Sequence, residues 1–167
     1  SPFFIPTLSK IHGEDKVTFV HNGIDKDIYK NLGLPRSGAC RMIRKGKNTK
    51  HLIPRADNAI LLDGKSHTEI AHIFSTTEIF YCHDPYTAFL YFAVLCGCIP
   101  VVIPQPGLSS EDWRAGMELK NGVAYGEDEI QWARNTSHHL KSDMVAIQDS
   151  HDASLLRFLD TVRKTFG

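Results

Sequence analysis

The sequence has no excess of either charge, because its 19 Lys and Arg residues are matched by 19 Asp and Glu residues. A general nucleic-acid-binding protein has a basic surface, so this balance argues against that class. Long apolar runs are missing too, since the longest, at 88–103, is interrupted by Gly97 and Pro100. It is too short and broken for a transmembrane segment, and the first ten residues lack the signal-peptide pattern. The missing initiator methionine leads us to expect an excised fragment.

Cysteine is scarce and is not spaced for metal binding. The four cysteines lie in apolar stretches, and Cys96 and Cys98 have C-x-C spacing. Zinc and thioredoxin-type sites typically have C-x-x-C spacing. We therefore expect four reduced, buried thiols in a cytoplasmic protein rather than a disulfide pair.

Alternation of apolar segments predicts an α/β fold. Strands are predicted at 17–21, 39–43, 58–62, 78–82, 99–103 and 122–125. Helices are predicted at 24–32, 66–75, 86–96, 109–113, 128–134, 137–147 and 153–165. Such alternation favours a Rossmann-like parallel sheet of about six strands with helices on both faces. We predict a linker segment at 1–35 and the domain itself at 36–167.

A basic loop follows the predicted strand at 39–43. Arg44, Lys45, Gly46 and Lys47 belong to the stretch 36–55, which holds seven Lys or Arg residues and no acid. Ligands of parallel sheets bind beyond the carboxyl ends of the strands, where this concentration of positive charge suits a diphosphate. Gly46 would let the backbone come close to that ligand. The alternative is a solvated basic loop.

The next two strands are also followed by polar residues. Asp63 and Gly64 could contact the edge of a nucleotide base or simply turn the chain. Further on come the side chains of His83, Asp84, Tyr86 and Thr87. The Asp84 carboxylate could accept hydrogen bonds from ribose hydroxyls, and Thr87 could donate to phosphate. The alternative for Asp84 is that it caps the following helix.

Other positions favour structural roles. The loop at 104–108 carries no titratable group, and Trp113 and Trp132 are predicted to be packing anchors. No G-x-G-x-x-G follows a strand, and no Walker A or G-x-S-x-G motif occurs. The sequence therefore gives no support to a nicotinamide dinucleotide site, a P-loop or an α/β-hydrolase.

Five segments carry a family resemblance. Residues 21–25 read H-N-G-I-D, 44–47 form the basic loop, 65–75 the next helix, 92–102 read F-A-V-L-C-G-C-I-P-V-V, and 122–125 read G-V-A-Y. They resemble the N-G-V-D linker, the basic loop, the following helix, the E-A-[LM]-A-x-G-C-[IP]-V-V segment and a later strand of one family. That family is the group 1-like GT-B glycosyltransferases, in their C-terminal, donor-binding lobe. The similarity extends over residues 17–136.

The resemblance implies a nucleotide-sugar donor site in a crevice between two lobes, needing no metal or other cofactor. The implied phosphate-binding residues are Arg44, Lys45, Gly46, Lys47 and Thr87. The implied nucleoside- or sugar-binding residues are Asp63, Gly64, His83, Asp84 and Tyr86. A glycan or lipid-linked acceptor would bind to an N-terminal lobe, and the isolated donor lobe would be inactive. The implied setting is surface polysaccharide biosynthesis in the cytoplasm, peripheral to the inner membrane.

The chain departs from the family at a pair of glutamates. In many such enzymes the second Glu of the pair binds ribose hydroxyls, whereas Phe92 occupies its place here. Asp84 could supply one carboxylate. A non-catalytic Rossmann-like nucleotide-binding or interaction domain is the alternative that this loss favours. A sugar-nucleotide epimerase or phosphorylase of the same two-lobed design is a further alternative.

Overall fold

A computed structural model of the chain describes residues 5–17, 24–44, 58–117 and 119–166. The chain divides into two compact units, one of residues 25–141 and one of residues 1–24 with 142–167. In the second unit, the helix α1 (Ile5–His12) and residues 158–166 border a largely apolar groove of about 690 Å³. The predicted division at residue 35 stays a prediction.

The first unit is built on a parallel sheet. Its strands are β1 (Ala39–Met42), β2 (Ile60–Leu61), β3 (Ile79–Cys82), β4 (Ile99–Val102) and β5 (Ala124–Tyr125). They lie in the order β2-β1-β3-β4-β5, and every neighbouring pair is parallel. The predicted α/β class is confirmed, with five strands in the described part of the chain rather than about six. The additional predicted strand, at 17–21, falls outside the described residues except for Val17, which is not in a strand.

Four further helices follow α1. They are α2 (His67–Thr76), α3 (Phe89–Cys96), α4 (Ser110–Ala115) and α5 (Ile130–Phe166). The predicted capping box at the start of α2 is confirmed, because Ser66 Oγ accepts a hydrogen bond from the Glu69 amide and Glu69 accepts one from the Ser66 amide. None of the helices within the described ranges is long and apolar enough to cross a membrane.

Two helix predictions are wrong. Residues 24–32 form a turn at 26–28 and irregular chain rather than a helix, because the Asp25 carboxylate accepts hydrogen bonds from the amides of Asp27 and Ile28. The three helices predicted between 128 and 165 are one continuous helix, α5, of 37 residues. The polar stretches interpreted as breaks contain neither Gly nor Pro, and Thr136 bonds back to the Trp132 carbonyl at 2.9 Å without interrupting the helix.

Strand alternation gives the sheet two buried faces. Tyr81 packs in one cluster with Val101, Ala124 and, from α5, Ala133. On the other face, the rings of Phe80 and of Phe74 in α2 lie 4.8 Å apart between centroids. All four residues of β4 are buried, as expected of a central parallel strand. Helices therefore cover both faces, as predicted.

Arg36 ties two helices together at the amino edge of the sheet. Its guanidinium donates to the carbonyls of Phe74 at 2.6 Å and Thr77 at 3.3 Å, and also to the Cys96 carbonyl. These carbonyls belong to the C-terminal ends of α2 and α3. Carbonyl groups at the end of a helix have no hydrogen-bond partner within that helix. Arg36 belongs to the basic stretch 36–55, which we expected at the carboxyl ends of the strands. Arg36 instead lies at the opposite, amino edge of the sheet.

Replacement of Arg36 should weaken the fold. We expect Arg36→Ala to lower the free energy of unfolding by about 2 kcal/mol, because several helix-end carbonyls lose a charged donor. Arg36→Lys should recover part of the loss, since an ammonium cannot reach all these carbonyls at once. Urea denaturation measures the effect, with the exposed Arg134→Ala as the control; equal stabilities of Arg36→Ala and the control would contradict this role.

Glu129 anchors the end of β5. Its carboxylate forms an ion pair with both terminal nitrogens of Arg114 and accepts a hydrogen bond from the Tyr125 amide at 2.7 Å. Burial acts to raise the pKa of Glu129, but the hydrogen bonds from Arg114 and Tyr125 outweigh it and hold this pKa below the ordinary value of 4.5.

This lowered pKa predicts a loss of stability in acid. The unfolded chain binds the proton more tightly, so the contribution of Glu129 is complete above pH 4.5 and is lost as the pH falls below it. Glu129→Gln should be less stable than the wild type at neutral pH, and the difference should shrink in acid. Thermal unfolding from pH 7 to pH 3 measures this, with Asp128→Asn as the control. A difference that does not change with pH would refute the assignment.

Candidate functional site

The direction in which the chain adds strands to the sheet reverses between β1 and β3. From β1 the chain passes to β2 on one side, then crosses back to β3 on the other, while β1 and β3 remain hydrogen-bonded neighbours. In doubly wound sheets the loops that leave the carboxyl ends of the strands diverge where the strand order reverses, and ligands bind in the crevice between them. We use the word crevice for this position at the carboxyl ends of β1 and β3. Arg44 and the loop at 83–88 follow these two strands directly.

The structure places Arg44 and the buried Thr87 each in contact with Phe89 at the start of α3. The Arg44 guanidinium carbon lies 4.5 Å from the ring centroid of Phe89, the first residue of α3. The Phe89 amide donates to Thr87 Oγ1 at 3.4 Å. Arg44 is exposed, so its charge is held against an aromatic ring and still accessible. The other predicted phosphate ligands, Lys45, Gly46 and Lys47, lie outside the described residues.

Asp63 holds the backbone that carries Arg44. One carboxylate oxygen accepts from the Ile43 amide at 2.8 Å and the other accepts from the Arg44 amide at 2.7 Å. Arg44 has a φ of 38°, a conformation that is unfavourable for a side-chain-bearing residue and is stabilised by this bidentate contact. Gly64 lies in the adjoining turn with a φ of 85°. Both residues thus shape the rim of the crevice.

Hydrogen bonds of its backbone hold the loop after β3 in place. His83 is almost fully buried; its amide donates to the Met42 carbonyl at 3.0 Å, and its carbonyl accepts from Gln105 Nε2 at 3.4 Å. Asp84 accepts from the Tyr86 amide at 3.2 Å. The N-cap of α3 is Ala88, so the alternative that Asp84 caps this helix is wrong. Half-buried Asp84 and exposed Tyr86 remain accessible to a ligand, whereas His83 faces the interior.

Three charged side chains converge around the buried thiol of Cys82 at the end of β3. Burial, above all, raises the pKa of Cys82, and its thiol donates to the Asp84 carbonyl at 3.2 Å. The carboxylates of Asp84 and Asp63 raise this pKa further, while Arg44 lowers it. Arg44, Asp63 and Asp84, which follow β1, β2 and β3, are therefore all close enough to Cys82 to affect its pKa.

A cluster of rings beside Arg44 was missed by sequence reasoning. We call it the aromatic cluster and define it as Tyr29, His67, Phe89 and Phe92. The ring of Tyr29 stacks on Phe92 with centroids 4.2 Å apart, and Phe92 meets Phe89 edge-on at 5.5 Å. Tyr29 Oη lies 2.5 Å from His67 Nδ1. The position of His67 at a capped helix start, directly after the Asp63 turn, was the available signal.

Side chains from α4 and β5 hold the loops that follow β3 and β4. Trp113 Nε1 donates to the Pro85 carbonyl at 2.9 Å, and Tyr125 Oη donates to the Leu108 carbonyl at 2.7 Å while accepting from the Gln105 amide at 2.9 Å. Trp113 is fully buried, as an anchor should be. These bonds fix the loops that follow β3 and β4.

The other tryptophan does not fit its prediction. Trp132 is 38% exposed, with the Arg114 guanidinium carbon 4.4 Å from its ring centroid. It lies on the surface of α5, covered by a charged side chain rather than packed in the core.

No family model matches the chain, and no curated protein or solved structure is significantly similar to it. Arguments about function therefore depend on the geometry of the crevice and on the resemblance of the segments described above.

Removal of the Asp63 carboxylate should loosen the loop that carries Arg44. We expect Asp63→Ala to accelerate hydrogen exchange at the Ile43 and Arg44 amides and to lower stability by about 1–3 kcal/mol, because both amides lose their acceptor. Lys65→Ala, at an exposed position in the same turn, is the matched control. Unchanged exchange at both amides would show that Asp63 does not hold the loop.

Proposed function

We propose that this chain is the donor-binding lobe of a GT-B-type glycosyltransferase and binds a nucleoside-diphosphate sugar in the crevice between β1 and β3. One observation carries the proposal: an accessible guanidinium, that of Arg44, lies at the strand-order reversal and against the start of α3. The resemblance of five segments to that family supports the same assignment.

The chemistry of the crevice suits a diphosphate leaving group. Arg44 offers a planar set of donors that can bind phosphate oxygens in a bidentate way. Its backbone is fixed by Asp63 and its side chain by Phe89, so little reorganisation is needed as charge develops on the leaving group. Asp84 and Tyr86 are accessible partners for the hydroxyl groups of ribose or the donor sugar.

The acceptor and the biological setting are inferred from the resemblance. The sugar would pass to a glycan or lipid-linked acceptor, in surface polysaccharide biosynthesis at the cytoplasmic side of the inner membrane. The acceptor, and in inverting enzymes often the catalytic base, would be held by an N-terminal lobe, so this chain alone would bind the donor without transferring sugar. No metal is required by the proposal, because Arg44 and the basic loop would neutralise the diphosphate.

A second candidate is a non-catalytic nucleotide-binding domain. Phe92, which replaces a ribose-binding glutamate of the family, stacks on Tyr29 and is committed to packing. This observation favours a site that has retained its phosphate contacts and lost its family ribose contact. Sugar transfer assayed with the full-length protein separates the two candidates, because the binding domain alone predicts affinity without turnover.

Removal of the Arg44 guanidinium should weaken nucleotide binding. We expect Arg44→Ala to reduce affinity for UDP, GDP or ADP about tenfold, the effect of one charge-assisted contact, and to reduce affinity for CMP less because CMP has a single phosphate. Titration calorimetry with all four nucleotides measures it, alongside Lys47→Ala from the same basic loop.

Arg134→Ala on α5 is the control and should bind as the wild type does. Circular dichroism should show Arg44→Ala to be folded. Equal affinities of Arg44→Ala and wild type for every diphosphate would remove the phosphate role, and no measurable binding by the wild type would refute the proposed function itself.

A further inference from the structure

We propose that His67 is a second phosphate-binding side chain of this crevice, donating a hydrogen bond from its Nε2–H group to the diphosphate. This inference rests on the proposed function. It concerns a residue to which neither the sequence motifs nor the family resemblance gave a role.

His67 and Arg44 border the same ring. The imidazole centroid of His67 lies 5.6 Å from that of Phe89, and the Arg44 guanidinium carbon lies 4.5 Å from it. The two side chains come from different elements, since His67 begins α2 and Arg44 follows β1. Both side chains are exposed, and both lie against the one ring of Phe89.

Tyr29 fixes which nitrogen of His67 carries the proton. Burial, above all, raises the pKa of Tyr29 to about 12, so the phenol is protonated at neutral pH. Tyr29 Oη lies 2.5 Å from His67 Nδ1, and an imidazole nitrogen is a far better acceptor than a phenol oxygen. The phenol therefore donates to Nδ1. A neutral imidazole that accepts at Nδ1 carries its hydrogen on Nε2.

The phenol is itself held in place. Its ring stacks on Phe92 at 4.2 Å and meets the imidazole at 75°, with centroids 5.9 Å apart. Phe92 thus has a role that the family glutamate does not have: it orients the tyrosine that orients the histidine. Phe92 thus positions Tyr29, and Tyr29 in turn directs the Nε2–H group of His67.

The nearby carboxylates are already engaged. Asp63 accepts from the amides of Ile43 and Arg44, and Glu69 accepts from both the amide and the hydroxyl of Ser66. Among the residues that the structure describes, Arg44 and His67 are two donors that this rim offers to an anion. A neutral N–H beside a guanidinium matches a diphosphate, which presents acceptor oxygens on two adjacent phosphates.

Two substitutions separate the nitrogens of His67. His67→Asn keeps an oxygen near the Nδ1 position, which can still accept from Tyr29, but has nothing at Nε2. His67→Gln places its amide near the Nε2 position and can donate outward. We expect His67→Asn to weaken binding of pyrophosphate and of UDP about five- to tenfold, as for loss of one hydrogen bond to a charged group, and His67→Gln to weaken it only about twofold.

Tyr29→Phe tests the positioning step. Without the phenol, the proton of His67 distributes over both nitrogens, so affinity for pyrophosphate should fall by up to about twofold. In the His67→Gln background the same change should have no further effect, because an amide has no tautomers. Nitrogen-15 shifts of the imidazole in the ligand-free protein should show protonated Nε2 and unprotonated Nδ1.

The outcomes separate this inference from the proposed function. If wild type binds neither pyrophosphate nor UDP, both proposals fail. If Arg44→Ala weakens binding while folded His67→Asn does not, or if the Asn and Gln variants lose affinity equally, only the role of His67 is refuted. A proton on Nδ1 in the nitrogen-15 spectrum would refute it as well. Melting temperatures identify any variant that has lost its fold.

Discussion

The parallel pairing of β1 with β3 is the constraint on which this molecule depends. Because β2 adds to the outer side of β1, the chain must cross over β1 to reach β3, and α2 makes that crossing. The crossing places the beginnings of α2 and α3 near the carboxyl ends of the strands. Arg44, Asp63 and the loop after β3 are neighbours because of this connectivity, although they are far apart in the sequence.

Much of the sheet could be predicted from sequence because each strand is a local apolar run. The continuous apolar segment at 99–103 predicts a buried central strand, and β4 is one. Whether the helices predicted within 128–165 are separate or continuous could not be decided from a local pattern. Polar residues such as Thr136 lower helix propensity without ending a helix, and only the whole structure shows that α5 continues. The turn at Asp25 depends on a side-chain hydrogen bond that competes with the helix.

The candidate site could be located from sequence but not assembled from it. Strand ends give the positions of Arg44, Asp63, Asp84 and Thr87, because parallel strands end at one edge. What each side chain contacts is a tertiary property: Asp63 binds backbone amides instead of remaining free. Tyr29 reaches His67 across 38 residues of chain, a distance at which no periodic pattern carries information.

Arg36 gives the molecule a property that none of its separate helices has. One guanidinium grips the final turns of α2 and α3, and the opposite tips of those helices carry His67 and Phe89. The rings of His67 and Phe89 also meet, with centroids 5.6 Å apart, so α2 and α3 are held together at both ends. The relative placement of the two helix starts therefore depends on a side chain at the far edge of the sheet as well as on the rings themselves.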